Sequence, residues 1–189
     1  MKLKSLLANF QVKQSARRME SGSLVFPDSL RHPKRILVCL PGGLRELTLV
    51  KQFLPAITDL FKPADITLLC MPGMKVNDIF PRKGFQILSP SSDQLTWAGL
   101  PKRSYIESLN DMKIDLVLDL NLEQSNFTSS VLLGFPKAVR IGRGNHLGRP
   151  YYNLEIKTKY LRDERNIYRS LLETIKLIKE SSKEQSARS

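Results

Sequence analysis

The sequence predicts an α/β fold, a three-layer, doubly wound and mainly parallel sheet of Rossmann-like type. Two observations carry this prediction. Short apolar runs recur along the chain, and they are continuous instead of alternating, as is typical of parallel strands covered on both faces. Segments of helical periodicity separate several of these runs, and that order implies right-handed crossovers between strands of one sheet.

The first strand and helix give the clearest pattern. Residues 35–40, with the sequence RILVCL, predict a buried strand, and residues 44–61 predict a helix with one apolar stripe. The pair Gly42 and Gly43 joins them. A second buried strand is expected over residues 66–70.

The rest of the chain continues the alternation. A serine cap at Ser125 is expected to start one of the helices. The further predicted elements are a strand over 85–88, a helix over 101–112, a strand over 115–120, a helix over 125–133, a strand over 138–141, an edge strand over 153–158 and a helix over 162–179. We expect a single domain over residues 34–180, a basic extension over 1–33 and a disordered tail over 181–189.

The composition points to an anionic partner without naming one. The 189 residues include 30 Lys and Arg against 18 Asp and Glu, a formal charge of +12. Such a surface attracts phosphates, anionic lipid or nucleic acid. Aromatic residues make up 7% of the chain, which leaves few rings for stacking on bases, so nucleic acid is the alternative partner and not the first choice.

The N-terminal segment carries Leu3, Leu6, Leu7 and Phe10 at helical spacing among basic residues. One interpretation is a helix over residues 1–18 that contacts an anionic membrane face, and the other is a helix docked on the domain or a frayed end. No apolar run reaches the length of a membrane-spanning helix or of a signal-peptide core. We expect a cytoplasmic protein, at most peripheral to the inner membrane.

The cysteines and histidines do not predict a metal site. Cys39 and Cys70 each end an apolar run and are expected to be core residues. His146 has no Cys or His partner at ligand spacing, and His32 is expected to lie in a linker. We expect no metal and no cofactor, and the GxGxxG dinucleotide fingerprint is absent from the sequence.

Polar residues that follow the strands are the candidates for a binding site. Asp119 is placed at the carboxyl end of its strand, where α/β ligand crevices form, whereas Asp115 is placed at the start of the same strand. Residues 140–149, RIGRGNHLGR, supply Arg140, Arg143 and Arg149. Flexible backbone with guanidinium groups suits an anion site, and the alternative is a surface loop with solvated arginines.

Five motifs in order resemble a known family. They are KRILVCLPGGL, DITLLC, IDLVLDLN, GFPKAVRIGRG and RPYYNLEI. Together, over residues 34–173, they resemble the N-terminal half of the family-nine glycosyltransferases, which include the heptosyltransferases of lipopolysaccharide synthesis. The resemblance implies one half of a GT-B fold, the half that holds the lipid-sugar acceptor.

Two departures from the family change the expected function. The family continues into a donor domain, whereas this sequence ends at Ser189, so we expect a half without a donor site. The family's loop resembles GGLGD, with an Asp as the proposed base, whereas here Arg45 and Glu46 follow Leu44. Glu46 is therefore a candidate catalytic base by resemblance, or a structural acid in the first turn of a helix.

The expected function is a degenerate, stand-alone glycosyltransferase-like module that binds without catalysis. Two alternatives are the acceptor-binding subunit of a split glycosyltransferase and a basic nucleic-acid-binding domain. The expected partners are an anionic ligand or lipid-sugar acceptor and a protein that covers the cleft face. The residues expected to bind the ligand are Gly42, Gly43, Arg45, Asp119, Arg140, Arg143 and Arg149.

Overall fold

A computed structural model describes residues 2–19, 28–74, 76, 79–80, 84–144 and 148–186. They form a six-stranded sheet in the order β3-β2-β1-β4-β5-β6, and every neighbouring pair is parallel. The predicted α/β class and doubly wound parallel sheet are confirmed. The order reverses between β1 and β4, which makes the carboxyl ends of these two strands the switch point of the fold.

The strands and helices have the following bounds. The strands are β1 (Arg35–Cys39), β2 (Asp65–Leu69), β3 (Gln86–Leu88), β4 (Leu116–Asp119), β5 (Val139–Arg143) and β6 (Leu154–Ile156). The helices are α1 (Lys2–Arg18), α2 (Asp28–Arg31), α3 (Leu44–Phe61), α4 (Arg103–Asn110), α5 (Asn126–Leu133) and α6 (Glu164–Ser186).

The central strands are mainly apolar because both faces of the sheet are covered. Successive side chains of β1 enter opposite clusters: Ile36 and Val38 join one, and Leu37 and Cys39 join the other. This is the period of two of a strand. A continuous apolar run is therefore what each central strand requires.

On the first face, α3 and α6 pack against the sheet and against each other. The stripe expected for α3 is the buried one. Its buried residues are Leu47, Val50, Leu54, Ile57 and Phe61, and the buried residues of α6 are Ile167, Tyr168, Leu171, Leu172 and Ile175.

On the second face lie α4, α5 and α1. The N-terminal helix is docked on the domain, packing against α5. It does so through Ala8 and Val12, which are buried, and Leu30 of α2 is fully buried in the first cluster. Residues of the expected extension therefore contribute to the core of the domain.

Several boundaries differ from those expected. The fifth strand ends at Arg143 instead of Ile141, so Arg143 lies in the strand with Arg140 and not in the loop that follows it. The last helix continues to Ser186, so residues 181–186 of the expected disordered tail are helical. The edge strand expected over 153–158 is confirmed as the shorter β6.

Candidate functional site

The switch point brings two polar segments side by side. Cys39 of β1 pairs with Asp119 of β4, so the glycine pair that follows β1 lies beside the residues that follow β4. Parallel strands present their carboxyl ends at one edge of the sheet, and ligands of such folds bind in the crevice at this point. Asp119, Gly42 and Gly43 are therefore brought to one edge of the sheet.

The Asp119 carboxylate is buried, with 3% of the residue exposed. Its Oδ2 accepts a hydrogen bond of 2.6 Å from the Tyr152 hydroxyl. Its Oδ1 accepts from the side-chain and backbone nitrogens of Asn121, at 2.7 and 2.9 Å. Burial raises the pKa of Asp119, and the hydrogen bonds from Tyr152 and Asn121 act in the opposite direction. Both oxygens are engaged, so this carboxylate orders the strand end.

Tyr152 is a residue of this site that the sequence reasoning missed. Burial, followed by the charge of Asp119, raises the pKa of the Tyr152 phenol far above its usual range, which keeps it a donor. Its ring lies against Gly142, where an added Cβ would overlap the ring. The signal in the sequence is a tyrosine pair just before the edge strand, but nothing local connects Tyr152 with Asp119.

The helix α3 begins directly after the glycine pair. Gly43 has φ −90° and ψ 138°, an extended conformation open to any residue. A Cβ there would meet the Glu46 carboxylate, the flexible end of a side chain. Glu46 thus lies folded back over the first turn of α3, where its charge complements the helix dipole.

Arg45 projects away from this turn. Its side chain is 81% exposed, and Nε lies 3.1 Å from Oε2 of Glu164, the first residue of α6. The two groups form an ion pair, but their geometry is not that of a hydrogen bond, and Glu164 Oε2 accepts no hydrogen bond. The pair joins the starts of α3 and α6.

An open groove of about 850 Å³ lies beside this ion pair. Arginine and acidic side chains both line it, together with apolar carbons of α3. Its lining residues are Leu44, Arg45, Thr48, Leu49, Asp163, Glu164 and Arg165. Guanidinium groups donate and carboxylates accept hydrogen bonds, so the groove can satisfy a ligand that carries hydroxyl groups and a negative charge.

Tyr168 connects α6 with the end of β4. Its hydroxyl donates a 3.0 Å hydrogen bond to the carbonyl of Leu120. Burial raises the pKa of this phenol, and the carboxylates of Glu46 and Glu164 raise it further. Like Tyr152, it is a buried donor that the sequence reasoning did not identify.

The three arginines predicted to form an anion site differ in burial: Arg140 and Arg143 are buried, and Arg149 is exposed. Arg140 has no exposed surface, and its guanidinium donates to the carbonyls of Phe135, Tyr151 and Pro150 at 2.6, 2.8 and 3.0 Å. Arg140 therefore stabilises the fold, whereas an anion site requires a guanidinium that a ligand can reach. Arg143 is 9% exposed and donates to backbone carbonyls that precede α6, at 3.3 and 3.4 Å.

The other candidates have structural positions. Asp115 accepts hydrogen bonds from the backbone nitrogens of Lys34 and Arg35, at the edge of the sheet opposite Asp119. Cys39 and Cys70 are buried free thiols whose pKa values are raised by burial. His32 is exposed.

The part of the chain that the structure describes contains no group of three or more His, Cys, Asp or Glu residues that could hold a metal ion. His146 lies outside the described residues. None of the described helices has the length and apolar character needed to cross a membrane.

The sequence matches no model of a known protein family, and it matches no curated protein. Among solved structures, the chain is similar to one described as the crystal structure of the glycosyl transferase family 9 from Veillonella parvula DSM 2008. The two are 18% identical with a TM-score of 0.49, and the match covers 77% of this chain. The chain spans 42% of the length of that structure.

Proposed function

We propose that this chain is a glycosyltransferase-like domain that binds an anionic, sugar-containing ligand at the carboxyl edge of its sheet without transferring a sugar. The observation that carries the proposal is the groove at the starts of α3 and α6, where the exposed Arg45 lies next to Glu164. Arginine and carboxylate side chains together offer donors and acceptors for hydroxyl groups, and Arg45 and Arg165 offer charge for an acid or phosphate.

The positions of the carboxylates support binding without catalysis. A general base must reach the reacting hydroxyl at about 2.6–3.2 Å. Asp119 is buried with both oxygens engaged, and Glu46 lies over Gly43 at the start of α3. A base displaced by about 1 Å can lose on the order of a hundredfold in rate.

A second candidate function is the acceptor-binding half of a glycosyltransferase whose donor half is a separate protein. Leu44 and Leu161 are large, exposed apolar side chains, and Leu161 precedes the groove residue Asp163 by two positions. Leu44 lines the groove, and the carbonyl of Leu161 accepts from Arg143. Exposed apolar side chains beside a binding groove are typical of a surface that another protein covers.

The test is isothermal titration with a phosphorylated inner-core oligosaccharide of lipopolysaccharide and with its dephosphorylated form. The phosphorylated form is expected to bind more tightly. Arg45→Ala should weaken that binding by about tenfold, since a charge-assisted hydrogen bond contributes about 1.5–3 kcal/mol. The matched control is Arg103→Ala, because Arg103 is also exposed and pairs with Glu107, at 2.8 Å on α4. Equal losses in both variants, or no binding at all, would contradict the proposal.

Turnover is measured on the same proteins with ADP-sugar donors. No transfer is expected from this chain. Transfer that Glu46→Ala abolishes would show a working enzyme, and transfer that appears only with a copurifying donor protein would favour the second candidate. Retention on random DNA at low salt, with steep loss as salt rises, would favour the nucleic-acid alternative that the net charge of +12 keeps open.

A further inference from the structure

The helix α1 presents one row of exposed side chains along its length. We call Leu3, Leu6, Phe10, Lys13 and Arg17 the outer row. Their spacing of three and four residues places them on one face of the helix. All five are exposed, so the face is apolar in its first half and basic in its second.

The opposite face of α1 is the one that docks. Ala8 and Val12 are buried there and Ala16 packs against the same cluster, while Leu3, Leu6 and Phe10 are 67%, 64% and 64% exposed. Burial of a Leu or Phe side chain contributes about 1.5–3 kcal/mol. A helix that served only to cover the domain would gain by placing these larger side chains inward, and this helix places small ones there.

Trp97 is exposed next to the start of α1. It lies in a tight turn in which Gly99 N donates to Thr96 O at 2.9 Å, and an antiparallel bridge between Leu95 and Pro101 closes the turn. The residue is 60% exposed, and Lys4 Nζ lies 6.0 Å from the centroid of its ring. An ordered turn that holds a tryptophan in solvent beside a lysine is suited to the boundary between water and lipid.

We propose that the outer row and Trp97 form a docking surface for an anionic lipid bilayer. The helix contains five basic residues and no acidic residue. Apolar side chains can enter the headgroup region while Lys13 and Arg17 contact lipid phosphates. The charge also distinguishes this occupant from a second copy of the chain, because two such helices would bring basic residues together without an acidic partner on either helix.

This inference is independent of the sugar-binding proposal. It is tested by sedimentation of the full chain with vesicles of phosphatidylcholine, with and without about 30% phosphatidylglycerol. Binding is expected to the anionic vesicles, and the double variant Leu6→Ser with Phe10→Ser should weaken it at least about tenfold. The control is Leu177→Ser, an equally exposed leucine on α6, on the other face of the sheet. All substituted residues are exposed, and equal circular dichroism spectra check that the variants fold.

Trp97 gives a second readout, since the sequence contains one tryptophan. Its emission should shift to shorter wavelength with anionic vesicles and not with phosphatidylcholine alone. Three results would overturn the proposal: no sedimentation with anionic vesicles, binding that the double variant leaves unchanged, or a self-associated chain that the double variant dissociates. If the double variant binds anionic vesicles as well as the unsubstituted chain does, and about 0.5 M salt abolishes the binding of both, the attraction is a general effect of charge and not of this surface.

Discussion

Arg140 and Arg45 carry the same charge, and the sequence predicts the same ligand-binding role for both. The structure places them in opposite environments. Arg140 lies in β5 with no exposed surface and donates to three backbone carbonyls, whereas Arg45 is 81% exposed on α3 with a single carboxylate beside it. A buried guanidinium whose donors are used by the backbone stabilises the fold, and an exposed one is available to a ligand.

The same contrast separates the two acids. Asp119 accepts three hydrogen bonds in the interior, while Glu46 lies over the first turn of α3. Asp119 and Arg140, which we call the framework, are therefore fixed by internal partners. The rim, formed by Arg45 and Glu164, is held by one contact between two helix starts. Substitutions should be costly for folding in the framework and costly only for binding at the rim.

The largest effect on stability is expected for Arg140→Met. It removes the charged donor from the carbonyls of Phe135, Tyr151 and Pro150 and leaves buried acceptors unpaired. We expect a loss of about 3–5 kcal/mol in the free energy of unfolding, measured by urea denaturation. Arg45→Met is the matched control and should change it by at most about 1 kcal/mol, the largest contribution expected of a surface ion pair. Equal urea midpoints for the two variants would remove the distinction between framework and rim.

A smaller effect, and one that depends on pH, is expected at Asp119. Burial raises its pKa in the folded state above the value of about 3.9 for an unfolded chain. Between these two values the folded protein binds more protons than the unfolded one, so the free energy of unfolding falls as pH rises. Asp119→Asn should remove this pH-dependent part of the free energy of unfolding. The measurement is urea denaturation of the variant and of the unsubstituted protein at a series of pH values from about pH 4 upward.

Tyr152→Phe sharpens the same measurement. The hydrogen bond from Tyr152 lowers the pKa of Asp119. Loss of this bond should therefore extend the decline in the free energy of unfolding to higher pH, and lower that free energy by about 1–3 kcal/mol near neutral pH. If the free energy of unfolding of this variant declines over the same pH range as that of the unsubstituted protein, the Tyr152 hydroxyl does not lower the pKa of Asp119.

The central strands could be predicted because a strand that is buried on both faces of the sheet requires a continuous run of apolar residues. Residues 36–39 and 116–118 are apolar runs for that reason, and Asp119 could be placed at a strand end because the run stops there. The glycine pair could be placed beside it because the carboxyl ends of parallel strands share an edge.

The partners of the polar groups could not be predicted, because they depend on contacts between distant parts of the chain. Tyr152 reaches Asp119 across 33 residues, and the carbonyls that accept from Arg140 belong to the segments before and after β5. The extension of β5 to Arg143 also depends on such a contact. Gly142 and Arg143 pair with Glu155 and Ile156 of β6, and the Tyr152 ring lies against Gly142, neither of which local propensity reveals.

The smallest effect on stability is expected for the ion pair between Arg45 and Glu164, and it defines the rim most directly. Ion pairs at the protein surface contribute about 0.2–1 kcal/mol, and in this pair Arg45 is exposed and Glu164 is partly buried. A double-mutant cycle with Arg45→Ala and Glu164→Gln in urea should give a coupling within that range, as should the same cycle at Arg103 and Glu107 on α4. A coupling above about 2 kcal/mol would mean that the pair holds α3 to α6 as part of the framework. Arg45 would then be costly to release to a ligand, and the groove beside it would be a poor binding site.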